Sequence, residues 1–202
     1  MKDLVRCPWS MTNGVLIPYH DTEWGLPVHD DLRHFEFLVL EAAQAGLSWL
    51  TVLNRREGYR HAYRGFDPSR VARFSARDVR RLLQDPGIIR NRRKIESSIT
   101  NARCFREIQR EFGSFDAYLW KWTGGTPLVN RWETQKKIPA RTELSDAISK
   151  DLKARGFSFV GSTIIYSHLQ AVGVINDHLV SCFRWKQVQR GRSARFPRAP
   201  IC

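Results

Sequence analysis

The 202-residue chain has no apolar run longer than a few residues, so nothing in it is long enough to cross a membrane. It opens with Lys2, Asp3 and Arg6 ahead of Pro8, without the apolar stretch of a secretory leader. The expected home is therefore the cytoplasm, including a bacterial nucleoid, or the nucleus. Its four cysteines, Cys7, Cys104, Cys182 and Cys202, include no C-x-x-C pair, which argues against a zinc ribbon or a thioredoxin-like site. A disulfide framework is not expected either. Internal repeats are absent, strand signals are almost absent, and acidic residues are scarce, 20 against 33 Lys and Arg.

What is there describes a globular protein. Hydrophobic residues make up 42% and charged residues 26%, a composition that supports one compact domain or two small lobes. The net charge of +13 favours a polyanionic partner over a small acidic substrate, and it is regional. Residues 1–54 carry 3 basic and 7 acidic groups, whereas residues 55–110 carry 16 and 6. From Arg184 to Cys202 there are 6 basic residues and no acidic one. Nucleic acid fits this distribution, although a solvated basic helix face also serves solubility. Residues 186–202, rich in Arg, Pro and Ser, read as a basic, poorly ordered tail behind a domain spanning 1–185.

Helix signals recur along that domain. Asp30 or Asp31 precedes an apolar face of Leu32, Phe35 and Val39; Ser48 precedes Leu50 and Leu53; Asp67-Pro68 reads as an N-cap with a first-turn proline. Ser75 with Asp78 resembles a capping box, and Asn91 starts a long pattern through Ile95, Ile99, Ala102 and Ile108 that Gly113 stops. Ser114 opens a short aromatic helix with Phe115, Tyr118, Leu119 and Trp122, broken at Gly124-Gly125-Thr126-Pro127. After a loop-rich crossing, helices are expected over 145–155, closed by Gly156, and over 162–172, closed by Gly173. The fold class is all-α, in two lobes, one built from both chain ends and the other from the middle.

Three constellations carry possible chemistry. Between the last two helices, Gly156-Phe157-Ser158-Phe159-Val160-Gly161-Ser162-Thr163 reads as the hairpin of a helix-hairpin-helix, whose second helix offers free N–H groups to a phosphate oxygen. An ordinary αα-turn has the same outline; Lys150, Lys153 and Arg155 nearby favour the DNA backbone. His178 and Cys182, one helical turn apart, can form half of a tetrahedral metal site, with Cys7 and His20 as the other half. The alternative is that these cysteines are small buried hydrophobes. Trp9, Tyr19, Trp24 and Trp49 gather around the acidic pair Glu23 and Glu41 in the one segment of net negative charge, a composition suited to a flat cation. A tryptophan-rich core with a surface glutamate is the plainer reading.

The strings Tyr19-His20-Asp21-Thr22-Glu23-Trp24-Gly25, Gln44-Ala45-Gly46-Leu47-Ser48-Trp49, Asp85-Pro86-Gly87-Ile88-Ile89-Arg90 and Arg155-Gly156-Phe157-Ser158-Phe159-Val160-Gly161, with Asn176-Asp177-His178, closely resemble the DNA-3-methyladenine glycosylase I family. The resemblance runs from about Cys7 to Cys182. It implies a monomeric helix-hairpin-helix enzyme of DNA repair that flips 3-methyladenine out of alkylated duplex DNA and hydrolyses its N-glycosidic bond. On this resemblance Cys7, His20, His178 and Cys182 hold one structural Zn²⁺, a closed site with no position left for an activated water. The lesion pocket maps onto Trp9, Tyr19, Trp24, Glu41 and Trp49, with Glu41 the carboxylate of the site in either recognition or catalysis. Gly46 and Leu47 fall where the family wedges the duplex, and Lys153, Arg155, Gly156, Gly161, Ser162 and Thr163 fall on the DNA-binding hairpin. Two departures bear on the pocket: Ala42-Ala43 stand where the family usually has glycine and glutamine, and Pro8 follows Cys7 where glycine is common. Asp177 stands near where many glycosylases of the superfamily place a catalytic aspartate, but here it is expected to be structural. Two rivals are a non-catalytic zinc-containing nucleic-acid-binding module and a same-fold glycosylase for another lesion, such as 7-methylguanine or uracil.

Overall fold

The computed structural model describes residues 4–189. In chain order its α-helices are α1 Leu16–Thr22, α2 Asp31–Gln44, α3 Trp49–Leu53, α4 Arg56–Ala62, α5 Pro68–Val71, α6 Ala76–Gln84, α7 Arg92–Phe112, α8 Phe115–Trp120, α9 Glu143–Ala154, α10 Ser162–Ala171 and α11 Phe183–Val188. The only strands among the described residues are β1 Leu128–Val129 and β2 Ile175–Asn176, paired in parallel with Leu128 opposite Ile175. The all-α expectation holds, and that short ladder ties the crossing after α8 to the segment that leads into His178.

Capping chemistry explains most helix starts. The side chains of Asp30, Ser48, Asp67, Asn91 and Ser114 each accept a backbone N–H from the first turn of the following helix, and Asp78 accepts from both the N–H and the hydroxyl of Ser75. Three expectations need correction. The first hairpin helix starts at Glu143, because Thr142 and Ser145 cap it reciprocally. Leu32 is 48% exposed, since α2 is buried all round from His34 to Ala43 and a one-sided pattern does not apply to it. The final helix continues to Val188, whose side chain is buried, so order extends past Trp185. The expected tail from residue 190 onward lies outside the described residues.

One contiguous apolar core runs from Cys7 to Cys182. At its centre the rings of Phe105 and Phe115 stack at 4.4 Å, with Phe35 edge-on to Phe105 at 5.3 Å. Asp31 accepts from the N–H groups of Phe115 and Asp116, which seats α8 on the start of α2. The chain ends meet: Phe183 N–H donates to the Val5 carbonyl at 2.9 Å. Gly173, at φ 72°, packs so closely on Leu26 and Pro27 that a Cβ would come within 2.3 Å of backbone.

Candidate functional site

The ends of α1, α2 and α3, one face of α10 and the turn at Gln135 enclose a cavity of about 380 Å³. Trp9, Tyr19, Trp24, Glu41 and Trp49 all line it, so the structure brings together the five residues expected there. Trp9 meets Trp24 edge-on at 5.1 Å and Tyr19 at 6.3 Å, and Tyr19 lies 5.4 Å from Trp49. Glu41 is 4% exposed and has no hydrogen-bond or ion-pair partner among the described residues. Burial pushes its carboxyl from 4.5 up to about 8. The Tyr19 phenol is held well above its ordinary value, first by burial and then by the nearby Glu41. The indole N–H of Trp49 is likewise buried and unpartnered, an unspent donor.

Glu23 is not part of this cavity. It pairs with Arg33 and Arg56, and Arg33, Arg56 and Arg60 also surround the buried Glu36, a charge network no local pattern announces. The arginines hold the Glu36 carboxyl below its ordinary value despite the opposing effect of burial. Ala42 and Ala43 do not line the cavity; the polar wall there is Gln44. Gln135, Ile138, Ser167 and Gln170 complete the lining and escape sequence reasoning. Ser167 and Gln170 share a helix face by spacing alone, whereas Gln135 and Ile138 arrive from a loop whose path only the tertiary fold decides. No lysine lines the cavity among the described residues.

Behind Trp24 lie Cys7, His20, His178 and Cys182, all buried, with their ligand atoms within 4.8 Å of one another. The Nδ1 of His178 is 3.7 Å from both sulfurs, and the Nε2 of His20 is 3.5 Å from the Cys182 sulfur. A tetrahedral zinc with Zn–S near 2.3 Å and Zn–N near 2.0 Å has ligand–ligand edges of about 3.3–3.8 Å, so the donor set fits that ion. The outer ring nitrogens are already assigned: His178 Nε2–H donates to the Trp24 carbonyl at 3.1 Å, and His20 Nδ1–H to Asp21, itself held by Arg6. That leaves the two inward nitrogens with lone pairs, as ligands require. Asp177, fully buried beside His178, accepts from Asn130, Trp132, Tyr166 and Gln170. Four donors on two oxygens hold this carboxylate in place.

The hairpin joins α9 and α10. Gly156 at φ 94° and the bond from Phe157 N–H to the Leu152 carbonyl close the first helix, and Asn101 of α7 holds Ser158 by both its backbone N–H and carbonyl. A groove beside it is lined by Lys153, Gly161 and, from α7, Arg93, Ser97 and Thr100. Ser162 and Thr163 form the first turn of α10, with Gly161 as its N-cap. Arg155 sits differently from Lys153: its guanidinium is bound by Glu111 and Asp151 at 2.6 and 2.7 Å and lies over Phe112 and Tyr118. Just beyond the C-terminal end of α2, Gly46 at φ 77° turns the chain, and Leu47 stands 41% exposed.

An all-helical scaffold with an aromatic box around a lone carboxylate, next to a basic helical hairpin, defines a base-binding enzyme of the helical DNA glycosylase class. The family model described as methyladenine glycosylase matches residues 9–185, and the chain belongs to that family. It is 48% identical over 177 residues to DNA-3-methyladenine glycosylase 1 of Escherichia coli, covering 88% of this chain and 95% of that protein. The DNA-3-methyladenine glycosylase of Haemophilus influenzae is 41% identical over the same length, covering 88% and 96%. A crystal structure of 3-methyladenine DNA glycosylase I superposes with a TM-score of 0.86 at 47% identity, covering 89% of this chain and 98% of that one.

Proposed function

We propose that this chain frees 3-methyladenine from alkylated duplex DNA by turning the damaged nucleotide into the aromatic cavity and hydrolysing its N-glycosidic bond, leaving an abasic site. The observation that carries this reading is Glu41, a carboxylate without a partner inside a box of four aromatic rings. Methylation at adenine N3 places a formal positive charge on the base, so the base departs neutral when the bond breaks and needs no acid. The protein then has only to extract the nucleotide, hold the cation and expose the sugar carbon to water. Ring faces attract the cation, and Glu41 supplies counter-charge and accepts hydrogen bonds from the exocyclic amino group. With no lysine in the wall to form a Schiff base, hydrolysis ends without strand cleavage.

Cys7, His20, His178 and Cys182 would hold one Zn²⁺ as a clasp between the two ends of the domain; with all four positions taken by protein it would supply structure and no reactive water. His178, fixed there, holds the Trp24 carbonyl and with it one wall of the pocket. The glycosylase domain spans 1–185 together with the rest of α11, and the chain works as a monomer. The hairpin, through Lys153, Gly156, Gly161, Ser162 and Thr163, binds the sugar-phosphate backbone without reading sequence. Leu47, carried on Gly46, fills the space the flipped nucleotide vacates.

Incubating methylated duplex DNA with the protein and chromatographing the released bases tests the reading. Release of 3-methyladenine is expected. Release of 7-methylguanine alone assigns another lesion, and no release at all leaves a binding module. DNA affinity should fall with salt on a log–log slope of about −0.9 per phosphate neutralised, and Lys153→Ala should flatten that slope by about one such step. Arg155→Ala should instead lower thermal stability with a smaller change in slope, because its charge is already spent on Glu111 and Asp151. Equal changes in slope for the two variants would reverse this assignment.

A further inference from the structure

The C-terminal carbonyls of a helix need partners from outside it. At the end of α2, Ala45 N–H reaches the Ala42 carbonyl and Leu47 N–H reaches that of Gln44. The carbonyls of Ala43 and Ala45 are taken by one side chain from another helix: Lys94, in the first turn of α7, donates its Nζ to both, at 2.8 and 2.6 Å. Its own backbone N–H is capped by Asn91, so the base of the side chain is fixed as well. Partial burial lowers the pKa of Lys94 from its ordinary value, and the negative end of the α2 dipole faces the ammonium. Immediately beyond Ala45 come Gly46, in its left-handed turn, and the exposed Leu47.

We propose that Lys94 is a positioning residue for base extrusion, holding the Ala45–Ser48 turn so that Leu47 projects at the height and angle a wedge requires. This rests on the assignment of Leu47 as the wedge. Charge-assisted hydrogen bonds to Ala43, in the last turn of α2, and to Ala45, where the loop begins, tie the start of the loop to the end of the helix, where a single bond would leave it free to pivot. The adjacent residue, Arg93, lines the groove at the hairpin, so one turn of α7 meets both the backbone-binding surface and the wedge support.

The role is visible only where a base stack must be opened. Lys94→Met keeps the length and apolar stem while removing both hydrogen bonds, and Lys94→Arg keeps the charge and the donors. Single-turnover release of 3-methyladenine is measured from methylated duplex DNA and from the same DNA denatured without heating, alongside affinity for free 3-methyladenine. Lys94→Met should slow the duplex reaction about tenfold, the scale of one lost charge-assisted bond, and leave the denatured-DNA rate and free-base affinity unchanged. Lys94→Arg should recover most of the duplex rate. Because both residues act on one device, Lys94→Met combined with Leu47→Ala should be no slower than Leu47→Ala alone. If Leu47→Ala matches the parent on duplex DNA, the wedge assignment itself fails. If Leu47→Ala is slow but Lys94→Met is not, or if the two losses multiply, the role of Lys94 is overturned. Equal loss on duplex and denatured DNA, or weakened free-base binding, also overturns it, by showing that Lys94 acts on α2 and Glu41.

Discussion

Glu41→Gln is expected to gain stability relative to the parent protein as pH rises from 5 to 8, and to weaken binding of 3-methyladenine. Both effects have one cause. The cavity holds Glu41 without a partner, and burial raises its carboxyl from 4.5 to about 8, so the folded protein binds a proton that the unfolded chain releases in that interval. Stability from this group is fully present below pH 4.5 and is lost as pH rises towards 8. By pH 7 the loss approaches roughly 3 kcal/mol, an upper figure for a shift of this size. Gln does not titrate, so the melting temperature of the variant should rise relative to that of the parent across this interval. The cost to the parent is the counterpart of its function, because a cation in the box restores the ionised carboxylate and recovers the strain of burying it.

Binding of free 3-methyladenine should weaken by about 1–3 kcal/mol in Glu41→Gln, the scale of a charged hydrogen bond, while substantial excision remains. Glu41→Ala should lose more, because the neutral free base would then have no acceptor for its amino group, and the cationic base in DNA would lose its counter-charge as well. Isothermal binding of the free base and single-turnover excision decide the matter. Near-total loss of chemistry in Glu41→Gln with base affinity intact would make Glu41 a general base instead of a recognition group.

The parts of this molecule written in local chemistry are legible in its sequence. Helix starts at Asp30, Ser48, Asp67, Asn91 and Ser114 are cap residues acting within one turn. His178 and Cys182 do meet, but across a non-helical turn that leads into α11, closed by the bond from Cys182 N–H to the Leu179 carbonyl, and not on the helix face their spacing suggests. The pocket aromatics were legible through composition and family resemblance, since they fall within forty residues of one another. What tertiary packing alone decides was not. Gln135 and Ile138 reach the cavity from a loop with no periodic signal, and Lys94 finds its acceptors 49 and 51 residues away. Glu23 illustrates the converse error. Its neighbourhood in sequence suggested the pocket, but Arg33 and Arg56 neutralise it outside, and a carboxylate already paired offers little to a ligand.

The largest structural effect is expected at the clasp: the parent should carry one zinc per chain, and Cys182→Ser should abolish it and lower the melting temperature by on the order of 10 °C. The argument is topological as well as energetic. Cys7 and His20 lie near one end of the domain and His178 and Cys182 near the other, so an ion held by all four would close a loop of nearly the whole chain. Without it, the four side chains hold one another only by weak sulfur contacts, beside the Val5–Phe183 backbone bond. Hydrogen exchange should accordingly rise first over residues 5–24. The pocket should suffer with it, because His178 holds the Trp24 carbonyl and its ring packs on the Trp24 indole at 4.6 Å, so free-base affinity should fall in parallel with metal content. Cys104→Ser, which touches neither the cluster nor the cavity, should leave zinc, melting temperature and affinity as in the parent. Elemental analysis and melting curves for Cys7→Ser and Cys182→Ser decide the point: a parent without zinc, and variants as stable as it, would return these cysteines to the role of small buried hydrophobes.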